Sequence, residues 1–360
     1  MTTVWILGGT GRTGRAVSEV LTARGLDVVL VGRDAGRLRA ATPPGARAMV
    51  LTSAEVPAAV RRDRPRVVLN TVGPFAGTAD PVVDACLDAG ADYVDLANDM
   101  AAVPALLSRN AEAVAAGRTL VTGAGFGVTG TESVVARLTA TRSDAPLRVR
   151  VDMVPSLALQ AGQVGEALAG TIVEGLPGVP GGGRFQGRLY QGGQLRPTRI
   201  GGMVQRLVTP DGDVVTTAAM PLGELVAAQR ASGAPDVLAA SSEAPSGRLV
   251  GLLPLGTSIL VFAPVRRLAG RLLARVRFPD RPAPRTHSWG HARVTWTDGS
   301  VTRGWLALPE AQQATVAIAA EVVRRLADDE GRPGAWTPAA LFGPELAESV
   351  GGRYVDQVHA

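Results

Sequence analysis

The stretch Val4-Trp-Ile-Leu-Gly-Gly-Thr-Gly-Arg-Thr-Gly14 decides the fold: a short apolar run breaks into glycines at Gly8, Gly11 and Gly14, and Arg15 to Ala23 follows with helical spacing. The glycines sit where a strand passes into a helix. A turn without Cβ atoms there lets backbone N–H groups and the positive end of the helix dipole face a pyrophosphate, as in dinucleotide-binding units. Gly8, Thr10, Gly11, Arg12, Thr13 and Gly14 are the candidate pyrophosphate-binding residues. The spacing Gly-x-x-Gly-x-x-Gly is looser than the strict fingerprint, and an ordinary tight turn is the alternative.

A second strand, Asp27 to Val31, bears on which dinucleotide is bound. NAD sites place an acid at the end of this strand, about 20 residues after the glycines, where it binds the ribose 2′-hydroxyl. Here Val31-Gly32-Arg33 stands instead, with Arg37 one helical turn further on. A guanidinium at that point pairs with a 2′-phosphate in a bidentate, charge-assisted way. The expected cofactor is therefore NADP(H). In the competing arrangement Arg33 is merely solvated and Asp34 takes the ribose.

Composition narrows the classes of function. The sequence has 360 residues, 46% of them hydrophobic, enough for two domains or one domain with a large insertion. The N-terminus enters the first strand without a basic leader, and the apolar stretch Leu249 to Val265 is interrupted by Pro254 and Pro264. It reads as a core or pocket segment rather than a membrane span. The single cysteine, Cys86, excludes an intrachain disulfide and fits a small buried hydrophobe. These features predict a cytoplasmic protein.

There is no lysine, so all 37 basic residues counted as Lys or Arg are arginine. This excludes Schiff-base chemistry, pyridoxal attachment, a phosphate-loop lysine and the Tyr-x-x-x-Lys pair of short-chain dehydrogenases. Any general acid must be Asp, Glu, His, Tyr, Cys or water. The net charge is +5, and arginines cluster at Arg266, Arg267, Arg271, Arg275, Arg277, Arg281, Arg285 and Arg293. Nucleic acid is not expected, because neither stacking aromatics nor a binding motif accompanies them. A phosphate-bearing substrate or an acidic acyl carrier protein fits better, with a solvated helix face as the plain alternative.

Strand and helix alternate through residues 1–125, with strands at Thr3 to Leu7, Asp27 to Val31, Ala46 to Leu51, Arg66 to Thr71, Asp92 to Leu96 and Thr119 to Thr122. Such alternation predicts a doubly wound parallel sheet of Rossmann type, with ligands at the carboxyl ends of its strands. After Gly125 a helix is expected at Glu132 to Thr141, then a strand with one wet face at Leu147 to Val154. Asp211-Gly212 and Asp298-Gly299 predict hairpins, the second joining Ala292–Thr297 to Val301–Leu306. Gly175 to Gly193 reads as a loop, either a lid or a surface excursion. Helices are expected at Ala311 to Asp328 and Thr337 to Phe342. The predicted organisation is a Rossmann domain, 1–125, completed by 307–360. Residues 126–306 form an α+β domain with a mostly antiparallel sheet, for substrate or oligomerisation, a homodimer being compatible.

The order of motifs resembles the saccharopine dehydrogenase-like reductases. The resemblance rests on Ile6 to Gly14, Val31-Gly-Arg-Asp34, Val68-Leu-Asn-Thr-Val-Gly-Pro-Phe75 and Asp84 to Asp95, with Met220-Pro-Leu-Gly-Glu224 and Thr337 to Gly343 agreeing. The branch it is most similar to includes the trans-acting enoyl reductases. The resemblance implies that Asn70, Thr71, Val72, Gly73, Pro74 and Phe75 line the cofactor towards the nicotinamide, that Gly8 to Gly14 hold the pyrophosphate and that Arg33 meets the 2′-phosphate. Two stretches depart from the pattern. Tyr93-Val-Asp-Leu-Ala-Asn-Asp99 stands for Tyr-Val-Asp-Leu-x-Gly-Glu, and Gly125-Phe-Gly-Val-Thr-Gly-Thr-Glu132 for Gly-Phe-Asp-Ser-x-Pro-Ser-Asp.

Asp99, Tyr93, Glu132 and Tyr190 are the candidate catalytic residues, able to donate a proton or hydrogen bond to the negative charge that hydride transfer develops. The plain alternatives are a helix cap for Asp99, a first-turn carboxylate for Glu132 and a core strand residue for Tyr93. His287 and His291 carry no metal expectation, since no Cys or carboxylate cluster joins them. The expected activity is NADPH-dependent reduction of a C=C (enoyl), C=N or C=O bond in a polyketide-, lipid- or secondary-metabolite-type intermediate, free or carrier-bound. The alternative is a cofactor-binding protein that catalyses a redox-neutral cyclisation or isomerisation, or acts as a sensor.

Overall fold

Short runs rich in Val, Ile and Leu alternate with helices in the first third of the chain, and they stack as a parallel sheet with both faces covered. The computed structural model describes residues 3–140, 142–157, 162–163, 187–244, 263–274, 277–278 and 282–356. In chain order the strands are β1 (Thr3–Leu7), β2 (Asp27–Gly32), β3 (Arg47–Val50), β4 (Val67–Asn70), β5 (Asp92–Asp95) and β6 (Thr119–Val121). There follow β7 (Pro146–Val154), β8 (Gly162–Gln163), β9 (Gly187–Gln191), β10 (Gln194–Thr198), β11 (Gln205–Val208) and β12 (Val214–Ala219). The last six are β13 (Asp236–Ser241), β14 (Arg277–Phe278), β15 (Ser288–Trp296), β16 (Val301–Leu308), β17 (Gly334–Trp336) and β18 (Arg353–Asp356).

The chain divides into two units, residues 1–97, 102–125 and 312–341 in one, and 98–101, 126–311 and 342–360 in the other. In the first, the order β17-β6-β5-β4-β1-β2-β3 reverses at β1, and each described pair is parallel. This is the doubly wound arrangement expected, extended by β17 from far along the chain. Trp5, Val29, Val68, Tyr93 and Leu120 on the strands pack with Val60, Val83 and Cys86 on the helices. Burial pushes the Cys86 thiol up, consistent with a purely packed role. The helix Val56–Asp63, not foreseen from the sequence, buries Val56, Ala59 and Val60 at helical spacing.

In the second unit the sheet order is β10-β9-β13-β7-β15-β16-β18, with β12 added to β13 and β11 to β12. It is antiparallel except that β13 runs parallel to β7. Both Asp-Gly hairpins form, with Gly212 at φ +90° and Gly299 at φ +83°. Three boundaries differ from expectation. Residues 342–360 belong to this unit rather than the first, because β18 pairs with β16. Residues 187–193 form β9 and its turn instead of loop, while 175–186 lie outside the described residues. The helix expected from Glu132 starts at Phe126, so Gly127, Thr129 and Gly130 are helical and buried. Their small size lets the helix lie directly on the sheet, where a Cβ at Gly290 would overlap the Gly130 carbonyl oxygen.

Candidate functional site

The glycine turn of the first unit is built by close backbone approach. Gly8 has φ +81°, a conformation that disfavours other residues, and a Cβ there would lie 2.6 Å from Thr71 Oγ1. A Cβ on Gly14 would lie 2.6 Å from the Gly8 carbonyl oxygen. The Gly11 N–H donates to that carbonyl at 2.8 Å, and the Gly8 and Gly9 N–H groups both donate to Val31 O at 3.1 Å. The turn leads into the helix Arg12–Ala23, whose N-terminus has neither a side-chain cap nor an acid in its first turn. First-turn N–H groups have no acceptor within their own helix, so an anion on this turn meets open donors and the positive dipole end. Thr10 and Thr13 are half-buried and Gly11 and Arg12 exposed; the Thr13 hydroxyl accepts from Gln312 Nε2 at 2.9 Å. These residues fit a diphosphate.

Beyond the carboxyl end of β2, Arg33 and Arg37 are exposed. Asp34 Oδ1 accepts the Arg37 N–H at 2.9 Å and caps the helix Ala35–Ala41. The carboxylate that competed for the ribose thus has a structural task.

At the end of β4, the Thr71 hydroxyl donates to Leu7 O at 2.7 Å, and Asn70 Oδ1 accepts the Val72 N–H at 3.0 Å. Asn70 Nδ2 donates to the Tyr93 hydroxyl at 3.1 Å, and Tyr93 in turn hydrogen-bonds Asp95. Asp95 also accepts from Ala97 N at 3.0 Å and Thr122 Oγ1 at 2.8 Å. Burial pushes the Asp95 carboxyl up to about 6 despite these donors. Burial and then the Asp95 charge hold the Tyr93 hydroxyl well above its usual range. Tyr93, wholly buried in β5, thus locks the strand ends that carry Asn70 to Phe75; Val72 is exposed, Gly73 and Pro74 half-buried and Phe75 buried.

The other candidate acids belong to the second unit. Asp99 is half-buried, accepts the Ala101 N–H at 3.0 Å and pairs with Leu222 in an isolated antiparallel bridge. Glu132 is fully buried and lies in the second turn of the helix Phe126–Ala140, not its first. Tyr190, half-buried on β9, lines a groove with Arg148 and Arg293. His291 pairs with Asp152 at 2.9 Å and stacks on Trp305 at 4.3 Å. Burial works to raise the Asp152 carboxyl, but the bond from His291 and the Arg150 charge hold it below its ordinary range.

Sequence reasoning passed over Glu224, in the stretch Met220-Pro-Leu-Gly-Glu224 at the start of the helix Glu224–Ser232. It is 1% exposed, and burial pushes its carboxyl up to about 7. The Asn98 amide lies beside it and favours the charged form, yet neither carboxyl oxygen completes a hydrogen bond of normal geometry, and Asn98 Oδ1 is buried without a partner. Gly127 makes the room: a Cβ there would overlap Glu224 Oε1 and lie 2.9 Å from both Asn98 Nδ2 and Met153 Sδ. The signal in the sequence was a missing acid at position 127, but only the fold shows a carboxyl arriving from residue 224.

Comparison with known proteins agrees with this geometry. The family described as saccharopine dehydrogenase NADP binding domain matches residues 4–121. A probable mitochondrial saccharopine dehydrogenase-like oxidoreductase of Arabidopsis thaliana is 34% identical over 112 residues, covering 26% of this chain and 25% of that protein. A trans-acting enoyl reductase of Mycobacterium tuberculosis is 35% identical over 104 residues, with the same coverages of 26% and 25%. The likeness thus spans about a quarter of these relatives' length. Apo saccharopine dehydrogenase (L-Glu forming) from Saccharomyces cerevisiae shares the fold, with a TM-score of 0.60 at 12% identity over 99% of this chain and 100% of that one. Residues 4–121 are thus similar to the saccharopine dehydrogenase NADP binding domain, and the chain carries a nicotinamide dinucleotide-binding domain.

Proposed function

We propose that the protein is an NADPH-dependent reductase of an unsaturated C=C, C=N or C=O bond in a biosynthetic intermediate, with an enoyl thioester, free or on an acyl carrier protein, as the preferred substrate class. The observation that carries this reading is the open, uncapped glycine turn at Gly8 to Gly14 joined to a β2 end that offers Arg33 where NAD sites offer an acid. When bound, the reduced dinucleotide supplies a hydride. The chain's own residues do the rest. Gly8, Gly11 and Gly14 leave backbone donors open to the diphosphate, Arg33 and Arg37 favour a 2′-phosphate over a bare ribose, and the Asn70–Tyr93–Asp95 network holds the β4 and β5 ends rigid. Glu224, kept protonated near neutrality by burial, is the candidate proton donor.

The test is consumption of NADPH followed by absorbance at 340 nm with enoyl thioester, imine and ketone substrates. Oxidation matched one-to-one by reduced product is expected. Product formed with the cofactor unchanged would replace the reductase by a redox-neutral cyclase or isomerase.

A further inference from the structure

Three arginines occupy one register level across three adjacent strands of the second sheet. Arg150 on β7 is paired with Arg293 on β15, and Arg293 with Arg303 on β16. Directly opposed residues on a sheet face lie about 5 Å apart, and like charges so placed destabilise the pairing. Arg150 is compensated, through Asp152 Oδ1 at 3.0 Å, Met203 O at 2.9 Å and Thr217 Oγ1 at 3.0 Å. Arg293 and Arg303 have no acidic partner among the described residues, and Arg293 Nε is buried with no hydrogen-bond acceptor. Asp236, the carboxylate nearby, is held by Arg148 at 3.4 Å and by the Gly192 N–H at 2.9 Å. Arg293, Arg148 and Arg150 line a groove of about 400 Å³ with Leu189, Leu238 and this Asp236, a volume suited to a small metabolite.

We propose that this groove is a binding site for a small organic phosphate, its phosphate held by Arg293 and Arg148 and its carbon portion lying along Leu189 and Leu238. A dianion removes the repulsion in the row and supplies the acceptor that Arg293 Nε lacks. An uncharged carbon portion finds an apolar wall in Leu189 and Leu238. The site is independent of the cofactor turn and of the reductase reading.

Calorimetry and thermal unfolding with phenyl phosphate, inorganic phosphate and phenol, all with NADPH present in excess, test the proposal. Saturable binding of one phenyl phosphate is expected, weaker binding of inorganic phosphate and none of phenol. The variant R293Q should bind phenyl phosphate at least tenfold more weakly, yet unfold at a higher temperature than the unchanged protein in phosphate-free buffer, because the middle charge of the row is gone. R267Q, which removes an exposed arginine from the helix Ala263–Ala274, should leave binding unchanged. Absence of saturable binding, equal affinity in R293Q, or a lower unfolding temperature for it without phosphate would overturn the assignment.

Discussion

Two glycine-rich turns follow two strands of the first sheet, and they do opposite things. After β1, Gly8 to Gly14 fold the backbone back on itself and leave exposed donors at the start of an uncapped helix. After β6, Gly125 to Gly130 run into a helix whose first ten residues are all buried, and the space the glycines open is filled by protein, with the Glu224 carboxyl against Gly127 and β15 against Gly130. The difference teaches that glycine spacing marks a close approach but not what approaches. Only the surroundings separate a ligand cradle from a packing contact.

Breaking the packing turn has the largest expected effect. Gly290→Ala places a methyl group into the Gly130 carbonyl, backbone against backbone, and should destabilise the fold by about 3 kcal/mol or more, seen as a lower midpoint in urea. Dinucleotide affinity of the folded fraction should be unchanged. Glu224→Gln sharpens the same comparison through pH. A carboxyl whose folded pKa is about 7, against an ordinary 4.5, stabilises most below 4.5 and loses that contribution as the pH rises through 7. The unchanged protein should therefore lose up to about 3 kcal/mol between pH 4.5 and 8 that the glutamine variant retains. Equal pH slopes in urea titrations would show that Glu224 is ionised in the fold.

Breaking the cradle acts on binding as well as folding. Gly14→Ala meets the Gly8 carbonyl and should weaken NADPH binding by the folded protein roughly 100-fold, with a lower unfolding midpoint as well. An alanine variant that binds normally would mean the diphosphate lies elsewhere. The smallest effect is expected from Arg33→Ala, about a tenfold loss for NADPH and under threefold for NADH, read by fluorescence titration.

The first sheet was legible because its strands are local apolar runs punctuated by glycine, and the fold class follows from their alternation with helices. The hairpins were legible from Asp-Gly at residues 211–212 and 298–299, where turn chemistry is local. What escaped depends on distant partners. Strands β17 and β18 are three and four residues long and exist by pairing with β6 and β16. The helix start at Phe126 was hidden because Gly127, Thr129 and Gly130 are poor helix formers, and burial on the second sheet overrides that preference. Of the candidate site, the cofactor turn was visible as a motif. Glu224 was not, since a carboxyl opening a helix reads as an ordinary first-turn charge until its burial is known. The apolar segment at 249–262, expected to line a pocket, lies outside the described residues.

The most direct measurement is calorimetric titration of the unmodified protein with NADPH and with NADH at one ionic strength. One NADPH per chain, bound at least tenfold more tightly than NADH, is the predicted result. Binding of neither dinucleotide, or equal binding of both, would contradict the roles given to the glycine turn and to Arg33.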